Sequence, residues 1–228
     1  MEDNTIYMII IIVILLILMV MIMYWLIKNY IGSFDRYYNV KQTFPQLQII
    51  ENNFDIIKHE FETNQNNGFE DWPENELYSK YKGDEWTIIP IYGFNKWNNK
   101  ILHRFPKTIE MLKDIKGLRT IIFSKLGPKT RLKKHRGWKE LSNKTLRCHM
   151  GIKVPKNNRS GVEVEDEFKQ VDEGKFIIFD DSKEHIGVNS SNEDRVVLLL
   201  DIERPWWVQN GRSNVGNTEE LKRFLDNF

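Results

Sequence analysis

The sequence predicts a mainly β fold: a closed or two-sheet antiparallel structure with flanking helices, set behind one transmembrane helix. Three observations carry this. Residues 6–27 form an apolar run without a single charge. From Leu118 onward, β-branched or alternating segments follow one another with turns between them and no helical pattern. Ahead of these lie two stretches with helix signals. A chain of 228 residues has room for one ordinary domain and such an extension.

At ~1.5 Å per residue, the run 6–27 (IYMIIIIVILLILMVMIMYWLI) is long enough to cross a hydrocarbon core about 30 Å thick. Tyr24 and Trp25 fall where an interfacial aromatic belt would lie. A cleaved signal peptide starts basic, is shorter and ends on small residues. This chain opens with Glu2 and Asp3, and no small-residue site follows the run. No Lys or Arg precedes the span, whereas Lys28, Arg36 and Lys41 follow it. The positive-inside rule then puts the single-pass protein's C-terminal part in the cytoplasm, with the ER lumen as the alternative. The one cysteine, Cys148, allows no internal disulfide and suits a reducing compartment.

Residues 28–43 read as a polar linker and 44–228 as the folded domain. Between Pro45 and Thr63, Leu47, Ile50, Phe54, Ile57 and Phe61 recur at spacings of three and four, which predicts an amphipathic helix. Residues 64–73 are turn-rich, with Asn66, Asn67 and Gly68. Residues 86–94 (WTIIPIYGF) predict a strand that Pro90 confines to an edge or a bulge. Pro106 starts a second helix of about ten residues, PKTIEMLKDI, where a missing N–H costs least. Strands are predicted at 119–126, 145–154, 162–166, 174–180 and 195–203, with turns at 156–161 and 189–192. After Trp206 and Trp207, Thr218 is the N-cap of a short helix ending at Asp226.

Lys+Arg 33 against Asp+Glu 32 leaves no basic excess, so no nucleic-acid partner is expected. The run Arg131, Lys133, Lys134, Arg136 reads as a solvated strand edge.

The chemistry sits between Phe123 and Pro205. His135 and His185 stand at the ends of predicted strands, each beside a Gly-containing turn. Imidazole suits Fe, Zn, Cu and Ni alike. A metal-bound histidine has its other ring nitrogen held by a carboxylate or a carbonyl, and Asp180, Asp181 and Glu184 lie beside His185. A non-haem Fe(II) site commonly uses two histidines and one carboxylate. In a strand, residues i and i+2 share a face, so an acid two residues after His135 would complete that set. Gly137 stands there instead, leaving two protein ligands and a water, and Asp181 is the candidate to hold that water. Arg147 and His149 share one side of their strand; an arginine inside a barrel needs an anion. Arg195 opens the apolar strand VVLLLDI and suits bidentate capture of a carboxylate, or else a rim salt bridge with Glu193 or Asp194. Ser124 offers a hydroxyl.

The ordered set FSKLGPKTRLKKHRG, LRCHMGIKVP, GKFIIFDDSKEH and RVVLLLDIERP makes residues 106–205 resemble the aspartyl/asparaginyl β-hydroxylase family. These are double-stranded β-helix (jelly-roll, cupin-like) dioxygenases that use Fe(II), 2-oxoglutarate and O₂. The resemblance implies His135 and His185 as iron ligands and Asp181 as the acid near the metal-bound water. It implies Arg195 and Ser124 at the distal carboxylate of 2-oxoglutarate, and Arg147 and His149 at its metal-bound end. Gly137 fits as well, because the family's animal enzymes similarly lack the third, carboxylate ligand. The stretch from His135 to Leu146 is longer than the family pattern and bears on the substrate mouth. The implied activity is hydroxylation of aspartyl or asparaginyl side chains in a protein substrate. The N-terminal half, with its anchor, FPQLQIIENNFDIIKHEF and PKTIEMLKDIKGL, resembles bacterial lipid A 2-hydroxylases, in which an Asp stands where this chain has Gly137. That makes a lipid acyl chain the alternative substrate. A non-catalytic jelly-roll binding module is the third reading.

Overall fold

The computed structural model describes residues 2–28, 32–66, 68–79, 85–93, 95–156 and 159–226. Part of the expected linker (29–31), the expected turn residue Asn67, the last residue of the expected strand 86–94, and residues 157–158 of an expected turn lie outside them. The chain divides into two compact units, Met1–Phe34 with Arg204–Asn210, and Asp35–Glu203 with Gly211–Phe228.

The first unit contains helix α1 (Glu2–Leu26). Its stretch Thr5–Leu26 has a mean hydropathy of 3.5 and no side chain buried. This one helix is long and apolar enough to cross a membrane.

The second unit is a pair of antiparallel sheets. The larger runs β1 (Tyr37–Tyr38), β9 (Phe176–Phe179), β6 (Thr145–Lys153), β11 (Arg195–Glu203), β5 (Leu118–Leu126), β3 (Trp86–Gly93), β2 (Glu70–Asp71), with β4 (Lys96–Trp97) paired to β3. The smaller runs β10 (His185–Asn189), β7 (Ser160–Val164), β8 (Glu167–Gln170). Bridges Arg131↔Val188 and His135↔His185 add a further edge to β10. Two sheets of unequal size with helices outside are the expected jelly roll.

β11 is the central strand of the larger sheet, and it is buried from Arg195 to Ile202. Both of its faces are covered, which is why VVLLLDI is continuously apolar and does not alternate. On the outer face, Phe123 of β5 packs against Phe61 and Phe105, with ring centroids 4.8 and 5.1 Å away. The single helix expected from 45 to 63 is two, α3 (Leu47–Asn52) and α4 (Phe54–Asn64). The break is at Asn53, whose side chain donates to the Ile49 carbonyl at 2.8 Å and competes with the helical ladder. Burial keeps its rhythm across the break, with Leu47, Ile50, Ile57 and Phe61 at 0–1% exposure. The second expected helix is shorter, α5 (Pro106–Leu112), with Pro106 in the first turn. Phe105 cannot cap it. The buried Glu60 of α4 does so from outside, accepting from Lys107 N at 2.9 Å and Thr108 N at 2.8 Å.

Five further points differ from or match the expectations from the sequence. The expected linker 28–43 is cut short, because Tyr37 and Tyr38 join the larger sheet opposite Phe179 and Ile178, and Val40–Thr43 forms a short helix, α2. Pro90 marks a bulge, with the β3–β5 register shifting between Pro90 and Tyr92. The expected strand 162–166 stops at Val164, and Glu165 (φ 44) and Asp166 (φ 69) make a two-residue turn into β8. The basic run is a solvated edge: Arg131 pairs with Glu163 at 3.5 Å, and Lys134 with Asp166 at 3.5 Å and Glu184 at 3.4 Å. Near the C-terminus, α6 (Glu219–Asp226) is capped by Thr218, whose hydroxyl accepts from Leu221 N at 3.2 Å.

Candidate active site

Directly opposed residues of antiparallel strands share a face, so the register of the larger sheet assembles half of the site. Along β11, Arg195, Val197, Leu199 and Asp201 alternate toward the smaller sheet. Opposite them, β6 contributes His149 against Leu199 and Arg147 against Asp201. On the other side, β5 contributes Ser124 against Val197. The smaller sheet supplies the rest. His135 and His185 are bridge partners, exchanging backbone hydrogen bonds of 3.1 and 2.9 Å, and their rings lie 4.3 Å apart between centroids. One cavity is lined by Ser124, His135, Arg147, His149, His185 and Arg195, with Trp86, Leu132 and Phe179 among its apolar walls.

The two histidines are held alike. The Lys133 carbonyl accepts from His135 Nδ1 at 2.8 Å, and the Lys183 carbonyl from His185 Nδ1 at 2.9 Å. A carbonyl only accepts, so each Nδ1 carries the proton and each neutral ring keeps a bare Nε2. The acidic cluster expected to orient His185 therefore does not; a carbonyl does. Asp180 instead accepts from Ser182 N and Oγ, at 3.0 and 2.7 Å. Burial, then the neighbouring His185, draws His135 down to about 3; burial draws His185 down to about 4. His135 retains partial surface exposure, but its ring is packed inside protein, so neutrality is the direction that holds.

His185 Nε2 lies 3.2 Å from Asp181 Oδ1. With His185 neutral, two lone pairs face each other, an arrangement that a cation between or beside them relieves. Asp181 also takes the place of a third ligand's side chain: a Cβ built on Gly137 would overlap the Asp181 carboxylate. Among the described residues no group of three His, Cys, Asp or Glu side chains is set to hold a metal. The chain's own offer is thus two imidazoles with a carboxylate alongside.

Arg147 is fully engaged. Its Nε and Nη2 donate to the two oxygens of Asp201 at 2.9 and 3.1 Å, and its Nη1 lies 2.6 Å from Asp181 Oδ1. Burial opposes its charge, but the two carboxylates outweigh burial and hold the guanidinium protonated. Asp201 was not among the residues singled out from the sequence. The signal was present, since an acid inside VVLLLDI on the same face as Arg195 needs a buried cation.

Arg195 is the opposite case. It is 3% exposed, and among the described residues no carboxylate pairs with it, so it is not a rim salt bridge to Glu193 or Asp194. Its Nη2 donates to His149 Nδ1 at 3.3 Å and its Nη1 to the Gly161 carbonyl at a long 3.4 Å. Because His149 Nδ1 accepts, its proton is on Nε2. Burial, then Arg195, keeps that ring neutral, with a pKa well below the usual histidine value. Among the described residues, His149 Nε2 and Arg195 Nε are both buried donors without a protein partner. Two orphaned N–H groups on one wall mark the place of an acceptor that the chain does not supply. Ser124 Oγ accepts from Trp86 Nε1 at 3.0 Å, which commits one hydroxyl lone pair and frees its proton to be donated. Trp86 was not foreseen; it lies far from Ser124 in the chain.

Residues 51–205 match the family model described as Aspartyl/Asparaginyl beta-hydroxylase. An ornithine lipid ester-linked acyl 2-hydroxylase of Rhizobium tropici is 34% identical over 121 residues, covering 53% of this chain and 42% of that protein. The aspartyl/asparaginyl beta-hydroxylase of Homo sapiens is 30% identical over 138 residues, covering 58% of this chain and 17% of that protein. The matches therefore span less than half of either relative. Among solved structures, a Pseudomonas putida prolyl-4-hydroxylase aligns with a TM-score of 0.40 and 11% identity, over 68% of this chain and 88% of that one.

Proposed function

Because the chain belongs to the aspartyl/asparaginyl β-hydroxylase family, we propose that it is an Fe(II)- and 2-oxoglutarate-dependent hydroxylase, with residues 6–27 as a membrane anchor and 44–228 as the dioxygenase domain. His135 and His185 would hold the metal through Nε2, and Asp181, whose carboxylate fills the space beside Gly137, would hold a water. Arg195 and the Ser124 hydroxyl take the distal carboxylate of 2-oxoglutarate. His149 donates toward its metal-bound end, and Arg147 reaches the same end only by sharing its grip on Asp181. When bound, Fe(II) with 2-oxoglutarate and O₂ supplies the oxidising power for C–H hydroxylation, releasing succinate and CO₂. The protein's residues orient the ligands and keep water out.

The observation that carries this reading is the opposition of two bare imidazole nitrogens to two orphaned N–H donors around one cavity. Charge supports it. Asp181 and Asp201 balance Arg147 and Arg195, so a buried dication and a dianion are tolerated together far better than either alone.

The substrate class favoured by the family and by Gly137 is an aspartyl or asparaginyl side chain of a protein. A lipid acyl chain is the second reading, favoured by α1 and by the Rhizobium relative. Lys28, Arg36 and Lys41, which follow α1, favour the cytoplasmic side for the domain, with the ER lumen as the alternative. The test is to load the full chain with Fe(II), follow succinate release, and weigh peptide and lipid candidates for a gain of one oxygen atom. His135→Asn and His185→Asn should each lose iron and turnover while keeping the fold. A wild-type chain that takes up no iron and consumes no 2-oxoglutarate with any candidate is a binding module, and the reading fails.

A further inference from the structure

The unit that contains α1 also contains Arg204–Asn210, from near the other end of the chain. The connection is built from backbone. At the end of the helix, Gly32 N donates to the Ile27 carbonyl at 2.7 Å. Ser33 N then donates to the Trp207 carbonyl at 2.8 Å, and Gln209 N to the Ser33 carbonyl at 2.8 Å, around a parallel bridge Ser33↔Val208. A Cβ on Gly32 would lie 2.7 Å from the Trp207 oxygen, so only glycine allows this approach. Val208 N donates to the Pro205 carbonyl at 3.0 Å and Arg204 Nη1 to the Gln209 carbonyl at 3.0 Å, which folds 204–209 into a closed turn. At its tip stands Trp206, 59% exposed. Outside α1, the large exposed hydrophobics among the described residues are Ile49, Ile56 and Trp206.

We propose that the Pro205–Trp207 turn is an interfacial foot, with the Trp206 indole seated in the headgroup layer of the bilayer that α1 crosses. The inference rests on reading α1 as a membrane helix. The headgroup layer is about 5–8 Å thick on each side. The Trp207 backbone is two hydrogen-bonded steps from the last turn of α1, so the foot lies within that layer once the helix spans. Indole, apolar with one N–H donor, is the side chain that partitions there. Trp206 thus joins Tyr24 and Trp25, which are half-exposed at the helix end, in an aromatic belt assembled from two distant parts of the chain. The chain leaves this unit after Phe34, enters it again at Arg204 and leaves it once more after Asn210. The remainder is consequently held to the bilayer by three covalent links instead of one, and its activity is confined to the membrane surface.

The experiment uses the full chain in phosphatidylcholine vesicles, with bimane on a cysteine at one of three positions: Trp206→Cys, Tyr24→Cys or Lys222→Cys. Cys148 is fully buried, and the unsubstituted chain is the blank. Vesicles carry lipid with a nitroxide at a shallow or a deep acyl position. W206C and Y24C should be quenched severalfold more by the shallow nitroxide than K222C is. Strong quenching of Y24C with W206C no different from K222C overturns the foot and leaves the membrane helix standing. Absence of quenching at both Y24C and W206C overturns the membrane reading, and the foot with it.

Discussion

Among the described residues no carboxylate pairs with the buried guanidinium of Arg195, and burial alone draws it from an ordinary 12.5 to about 10. At ~1.36 kcal/mol per pKa unit, holding that charge in the ligand-free fold costs about 3 kcal/mol. A carboxylate that binds Arg195 recovers most of this, so the same group that weakens the empty protein strengthens the complex. Arg195→Met removes the charge and keeps a flexible stem of similar length. Ligand-free R195M should therefore be more stable than the wild type, by about 1–3 kcal/mol. Its affinity for 2-oxoglutarate should fall by about 100-fold, the equivalent of ~3 kcal/mol. Urea unfolding without co-substrate measures the first quantity. Calorimetric titration of 2-oxoglutarate, with Mn(II) in place of Fe(II), measures the second. An R195M protein that loses more than ~1 kcal/mol when empty, with a 2-oxoglutarate Kd within about threefold of wild type, refutes the assignment of an unpaired anion-binding arginine.

Three further outcomes follow from the same geometry. Gly137→Ala drives a methyl group into the Asp181 carboxylate and should cost about 1–3 kcal/mol in urea unfolding; the same substitution should cost much less when made in an Asp181→Gly background than in the wild type, and an equal cost in both would show that the clash lies elsewhere. Trp86→Phe keeps the stack on Trp72, whose ring centroid is 4.2 Å away, but removes the N–H that Ser124 accepts. Its 2-oxoglutarate affinity should drop about fivefold, for one neutral hydrogen bond of ~1 kcal/mol, and the change should vanish in a Ser124→Ala background; an undiminished effect there would assign Trp86 to packing alone. Metal-free protein should also lose stability as pH falls. Native His135 and His185 stay neutral down to about 3 and about 4, whereas the unfolded chain protonates them below its ordinary histidine pKa of about 6.5. Stability from these groups is thus complete above about pH 6.5 and declines toward pH 4, by up to ~1.4 kcal/mol per pH unit for each ring. Unfolding midpoints across that window should fall less steeply for His135→Asn and His185→Asn, and equal slopes would rule out the two rings as the cause.

Much of the fold was legible because its signals are local. Pro90 and Pro106 act through the missing N–H, Thr218 through its hydroxyl, and the strands after Leu118 through β-branched runs. The turn at Glu165 and Asp166 was not legible, since positive φ there is carried by two acidic residues with no glycine or asparagine to announce it. β8 was missed with it. The break at Asn53 was hidden by an apolar spacing that continues straight through.

The site divides along the same line. Two histidines, a glycine where a carboxylate would complete a metal set, and arginines in otherwise apolar strands are properties of residue type and of the two-residue period of a strand. They are visible without coordinates because each depends only on near neighbours in the chain. What only the tertiary structure decided is who faces whom. Register set His135 against His185 and Arg147 against Asp201. It also left Arg195 Nε and His149 Nε2 as buried donors with no acceptor among the described residues. Register across long separations is set by burying both faces of β11 at once, a condition on the whole sheet that no short stretch of sequence carries.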